Sequence, residues 1–107
     1  MATFLIANRP PKNYTGSADA MAAWNAWFER LGANLVDRGN PVFERRTLGN
    51  RETDTVLGGY TLVTADNLET AVALAEGCPI LESGGVVEVG ELTELNRGTR
   101  LIVEDLA

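Results

Sequence analysis

Glu88 stands between Val87 and Val89 in the stretch "GGVVEVGEL". Alternation along a strand sends it to one face of a sheet beside apolar neighbours, and a carboxyl group held partly out of water is suited to general acid or base work. The competing role is structural, an ion pair with an arginine on a neighbouring strand, for which Arg46 qualifies. Tyr60 follows Gly58-Gly59 directly. A glycine pair lets another backbone or a ligand come close, and the phenol beside it can orient a carbonyl or donate a proton; packing in the core is the alternative. Arg45 or Arg46, in "PVFERRTLG", offers a clamp for an anionic group. Glu82 and Ser83 fall in the loop ahead of the Glu88 strand, where ligand contacts often gather.

Two further residue types need placing. Trp24 and Trp27 are three apart, so one of them can line a cavity beneath a helix. Trp24 shares a stripe with Met21 and Phe28 and is expected in the core, whereas Trp27 falls off that stripe and is the one available to a ligand or an interface. Cys78 follows a helix C-terminus, where the dipole disfavours a thiolate, and reads as an inert buried thiol.

The chain contains no histidine and a single cysteine. This removes the commonest general base, every Ser-His or Cys-His nucleophile pair and the usual zinc ligand sets, so no metal is expected. The glycine pairs do not open a helix in a dinucleotide or phosphate-loop pattern, so no cofactor is expected either. A net charge of -6, with arginines scattered rather than gathered into a basic run, argues against nucleic acid. The sequence has no apolar run of membrane-spanning length and no signal-peptide pattern at its start, which makes the cytoplasm the expected location. At 107 residues, 45% hydrophobic and 22% charged, the composition is that of one globular domain.

These side chains must be positioned by a small set of elements. "TFLIAN" reads as a strand stopped by "RPPKNYTG". Ser17 caps a helix with Asp19 in its first turn and Gly32 at its end. "PVFERRTLG", residues 41–49, is expected as the second strand and "TVLGGYTLVTA" as a third, bent at its glycines. Asp66 and Glu69 form a capping box for a helix over 67–76, and Gly77 supplies a left-handed cap before Pro79 forbids continuation. "GGVVEVGEL" is the last long strand, and "TRLIVED", 99–105, adds an edge strand or packed tail.

The order β-α-β-β-α-β is a ferredoxin-like α+β fold, a four-stranded antiparallel sheet with two helices on one face. Its other face carries apolar residues that want a cover. Each additional Val, Leu or Phe buried there contributes about 1.5–3 kcal/mol, so a homodimer through the open sheet face is expected.

The segment "LGGYTLVTADNLETAVALAEGCPILESGGVVEVGEL", residues 57–92, resembles the YCII-related family, including its DGPF-like members. In that family a G-G-Y/F strand, an A-D-x-L-x-x-A helix, a C-P break and a G-G-x-V-E-V strand follow one another at this spacing. The first half of the chain matches in element order alone. The resemblance implies one YCII-related domain over 1–107, pairing into a dimeric α+β barrel, with a ligand cavity between sheet and helices. It also implies relatives regarded as small-molecule enzymes and, for some DGPF-like members, an association with alternative sigma factors. The chain departs from the family at three points. It has no His-Asp pair, "NRETD" occupies the loop where the DGPF tetrapeptide is expected, and Gly90 replaces the arginine that often follows V-E-V.

Taken together, the expected function is a cofactor-independent enzyme moving a proton on, or eliminating a group from, a small organic molecule. Glu88 is then the acid or base, Tyr60 the orienting donor, and Arg45 or Arg46 the anion clamp. The alternatives are a non-catalytic binding or regulatory module with a transcription-related partner, and a structural dimer whose cavity is filled by its own side chains.

Overall fold

The computed structural model describes residues 1–49 and 53–95. Strand β1 (Ala2–Arg9) leads through the proline loop to helix α1 (Ala18–Leu31). A 3-10 turn then feeds β2 (Leu35–Asp37), and a long irregular segment leads to β3 (Gly59–Ala65), helix α2 (Leu68–Ala75) and β4 (Val86–Glu91). The strands form one antiparallel sheet in the order β2-β3-β1-β4, which is the expected β-α-β-β-α-β fold.

Helix α1 begins and ends where its capping residues require. The Ser17 hydroxyl accepts from the Ala20 N–H at 3.1 Å, and the Gly32 N–H closes on the Phe28 carbonyl with φ at 51°, a conformation favouring glycine. Helix α2 differs in its details. Asn67, rather than Asp66, is the N-cap, its Oδ1 accepting from both the N–H and the hydroxyl of Thr70 at 2.8 Å. Asn67 holds the extended backbone a cap needs, and that places its amide oxygen over the first turn. Gly77 does not adopt the left-handed cap; the glycines with positive φ are Gly32, Gly39, Gly49 and Gly84. Its requirement is steric, since a Cβ at Gly77 would lie 2.9 Å from Trp27 Cδ1.

The second strand is a correction. Residues 41–49 form no strand, and their one ladder-like contact is an isolated bridge from Pro41 to Gly59. The β3 edge is already occupied along its length by β2 and by the chain leaving it, so residues beyond 42 have nothing to pair with. Phe43 and Leu48 are accordingly 83% and 92% exposed. The proposed strand or tail over 99–105 lies outside the described residues.

Alternation divides the sheet. Phe4, Ile6, Thr61, Val63 and Ala65 are buried beneath the helices with Trp27, Leu31, Ala71, Ala75, Cys78 and Ile80. On the other face Leu5 pairs directly with Leu62, and Ala7 stands between Tyr60 and Glu88. No described helix is long and apolar enough to cross a membrane.

Candidate functional site

Helix α1 builds the aromatic half of the site around one anchor. Trp27 is 1% exposed, and its indole N–H donates to the Leu74 carbonyl of α2 at 3.0 Å, tying the helices together. Trp24 meets Trp27 edge-on at 5.6 Å between centroids, and Phe28 packs on both tryptophans at 5.4 and 5.9 Å. The two roles expected of the tryptophans are therefore exchanged: Trp27 is core, and it is Trp24 that lines the large cavity. The Met21, Trp24 and Phe28 stripe faces this cavity, and Met21 is 67% exposed. A helix with its apolar stripe over a cavity has the same period as one with its stripe over a core, so spacing could not separate the cases.

The opposite wall comes from the chain leaving β2. Asp37 accepts the Gly39 N–H at 2.8 Å in a tight turn with Gly39 at φ 77°, and the Arg38 carbonyl accepts the Thr61 hydroxyl at 3.1 Å. This turn aims Arg38 back at α1. Its guanidinium lies 4.4 Å from the centre of the Phe28 ring and donates to Asn25 Oδ1 at 2.8 Å. Asn40 donates to the Tyr60 hydroxyl at 3.2 Å, leaving the phenolic proton free for another acceptor. Gly58 and Gly59 permit the approach expected of them. A Cβ on Gly59 would lie 2.9 Å from the Asn40 carbonyl, and one on Gly58 would lie 2.7 Å from Asn8 Oδ1.

Between these walls is a cavity of about 670 Å³ lined by Trp24, Phe28 and Tyr60, with Asn8 and Thr61 at the sheet. Among the described residues, its charged lining is Lys12, Arg38 and Arg45, with no carboxylate. In a chain of net charge -6, that is a local reversal of sign. A second pocket of about 260 Å³ adjoins it, sharing Arg45 and Val56 as walls. Arg45 is fixed between them, its Nε donating to the Leu57 carbonyl at 2.9 Å and its Nη2 to the Val42 carbonyl at 2.8 Å.

The sequence-derived candidates are only partly brought together. Tyr60 and Arg45 line the large cavity; Arg46 lines the small pocket alone. Glu88 lines neither. It projects from the open sheet face in one row with Ala7 and Tyr60, exposed, and two strand spacings, about 10 Å, from Tyr60. The same alternation that puts Val87 and Val89 against the core sends Glu88 and Tyr60 to the face away from the helices; Tyr60, beside the Gly39–Asn40 turn, still lines the large cavity, and Glu88, two strands away, does not. Glu82 and Ser83, exposed after the 3-10 turn Pro79–Leu81, line neither pocket. Cys78 is buried, and loss of solvation pushes its thiol from 9.0 up to about 11, against a smaller opposing contribution from the Ile80 N–H. That supports the reading of an unreactive thiol. No metal-binding group of His, Cys, Asp and Glu occurs among the described residues.

Among solved structures, the chain is similar to 5-chloro-2-hydroxyhydroquinone dehydrochlorinase (TftG) from Burkholderia phenoliruptrix, determined in complex with 2,5-dihydroxybenzoquinone. Identity is 23%, the TM-score is 0.56, and the likeness covers 85% of this chain and 93% of that one, which supports the fold. No curated protein matches the chain. The YCII-related domain model matches residues 1–96, and the chain belongs to the YCII-related family.

Proposed function

We propose that the large cavity binds a small, planar, oxygen-bearing anion and that the protein acts on it without a cofactor. The observation that carries this reading is the lining itself: aromatic walls with Lys12, Arg38 and Arg45 and, among the described residues, no carboxylate. Trp24 and Phe28 supply flat apolar surface for a ring, and the cations hold its oxygens. The dehydrochlorinase of the same fold, bound to a dihydroxyquinone, supports a ligand of this kind.

With Glu88 outside the cavity, the chemistry falls to cations and a phenol. An enolate or ionised phenol needs no protein base. For a ring halide, the carbon bearing the halogen first takes a proton from solvent and becomes tetrahedral; an ionised hydroxyl's electron pair then becomes a carbonyl bond, the carbon-carbon double bond shifts onto that carbon, and the halide departs with the electrons of its bond. Cationic side chains stabilise the departing anion, and Tyr60, whose hydroxyl already accepts from Asn40, donates a hydrogen bond to a ligand oxygen.

The lack of a carboxylate among the described lining residues also favours a second reading, a non-catalytic binding or regulatory module using the same cavity. A transcription-related partner for it gains no support from the relatives found. The readings part on turnover. Titration with 2,5-dihydroxybenzoquinone, followed by tryptophan fluorescence, should quench Trp24 saturably. A panel of halogenated hydroxyhydroquinones then tests elimination through halide release. Release that falls at least tenfold in Tyr60→Phe, with affinity retained, supports the enzyme. Saturable binding with no release from any member of the panel supports the module, and no saturable binding removes both.

The homodimer belongs to the same proposal. Leu5, Leu62 and exposed Val86 lie on the face away from the helices, and a second copy seated there would cover them and bury Glu88 at the interface. Sedimentation at low micromolar concentration should show a dimer, and a monomer there would refute the pairing.

A further inference from the structure

We infer that the small pocket bounded by Arg9, Arg45 and Arg46 is a subsite for a tetrahedral oxyanion, a phosphoryl or sulfuryl group, and that through Arg45 it forms the second half of one ligand site. The second half of this inference rests on the proposed function of the large cavity; the first half does not.

Three guanidinium groups and three threonines, Thr47, Thr53 and Thr55, line about 260 Å³, and no carboxylate of the described residues shares that lining. Like charges collected around one pocket repel unless an anion or solvent screens them, so three guanidinium groups around one small volume favour an anion there. Two of the cations are also held in place. Arg9 donates from Nε to the Thr55 hydroxyl at 3.3 Å and from Nη2 to the Thr55 carbonyl at 3.5 Å, and Arg45 is fixed by the Leu57 and Val42 carbonyls. A guanidinium has five N–H donors, so each retains donors beyond those that orient it. The Thr55 hydroxyl, accepting from Arg9, keeps its own proton to give.

This is more donor capacity than the two oxygens of a carboxylate can accept. The three terminal oxygens of a phosphoryl or sulfuryl group match it better, with bidentate guanidinium contacts on separate edges. Arg45 and Val56 form walls of both pockets. A ligand with its ring against Trp24 and Phe28 and its oxyanion beyond Arg45 would fill both, and the shared guanidinium would couple them. The substrate class is thereby narrowed to aromatic or enolic molecules bearing a phosphoryl or sulfuryl group.

Amide NMR shifts of the full chain at Thr47, Thr55 and Leu57 report the subsite, and Trp24 fluorescence reports the large cavity. Inorganic phosphate should move those amides saturably without quenching Trp24, and Arg46→Gln should weaken phosphate about tenfold, the loss of one charge-assisted contact, with the remaining spectrum intact. Phenyl phosphate should perturb both sets and bind at least tenfold more tightly than inorganic phosphate. Amides that phosphate leaves in place, or moves equally in Arg46→Gln, overturn the subsite. Phosphate binding without any gain for phenyl phosphate overturns the shared ligand. Phosphate binding alongside a cavity that ignores 2,5-dihydroxybenzoquinone supports the subsite and refutes the reading of the large cavity instead.

Discussion

Gly39→Ala should detach the wall that carries Arg38 while leaving the core in place. A Cβ at Gly39 would fall 1.7 Å from the Tyr60 carbonyl oxygen and 2.6 Å from its carbonyl carbon, at a backbone φ of 77°. The obstructing atoms are backbone in the middle of the sheet, so the turn has to move and the strand does not. Lifting the turn breaks the Thr61 hydroxyl's bond to the Arg38 carbonyl and the Asn40 bond to Tyr60. Each is worth about 1 kcal/mol net, and alanine in the left-handed region adds roughly 1–2 kcal/mol. The sum is about 3–4 kcal/mol, which for a domain of this size corresponds to roughly 10–25 °C in melting temperature. Trp27 and the buried strands are untouched, so the variant should still fold. Urea denaturation followed by circular dichroism measures the stability, and quenching of Trp24 by 2,5-dihydroxybenzoquinone measures the cavity. Affinity among folded molecules should fall at least tenfold, since Arg38 moves with the turn. Gly16→Ala is the control, because nothing lies within 4 Å of a Cβ there, and it should leave stability unchanged. If Gly39→Ala melts with the parent and keeps its affinity, the turn does not hold Arg38 as described.

Other outcomes follow from the same geometry. Arg38→Gln loses an exposed stacking contact and one hydrogen bond, about 1 kcal/mol of stability, yet should weaken an aromatic anion tenfold or more while sparing its neutral analogue, as calorimetric titration of the pair would show. Trp27→Phe removes the bond to the Leu74 carbonyl and leaves part of the indole volume empty, and should cost about 2–3 kcal/mol by urea denaturation. For Cys78 the folded thiol titrates near 11 against an ordinary value of 9.0. Between those values the unfolded chain gives up its proton first, so this contribution is intact below pH 9 and is lost progressively as pH rises towards 11. The loss is on the order of 2 kcal/mol and should be missing from the pH dependence of Cys78→Ala.

How much of this was legible in the sequence varied with the kind of signal. Long elements announced by caps and period were read correctly: Ser17 and Gly32 bound α1, and the alternation of "VVEV" gives β4. Strand β2 has three residues, too few for alternation to register, while the longer "PVFERRTLG" had the composition of a strand and no edge left to join. Around the site, Gly58-Gly59 signalled close approach, and Tyr60 and Arg45 do line the cavity. Glu88 shares its sheet face with Tyr60 but stands two strands away, and alternation gives a residue's face without giving its distance from a cavity. Arg38 was missed because its role depends on a turn that a short strand positions. Trp24 and Trp27 were exchanged because a stripe over a cavity and a stripe over a core have one period.

The most direct test of the central claim is a crystal structure of the protein with 2,5-dihydroxybenzoquinone bound. The ring is expected against Trp24 and Phe28, with its oxygens toward Arg38, Arg45 and the Tyr60 hydroxyl. A ring bound instead on the open sheet face beside Glu88, with the aromatic cavity empty, would contradict the account.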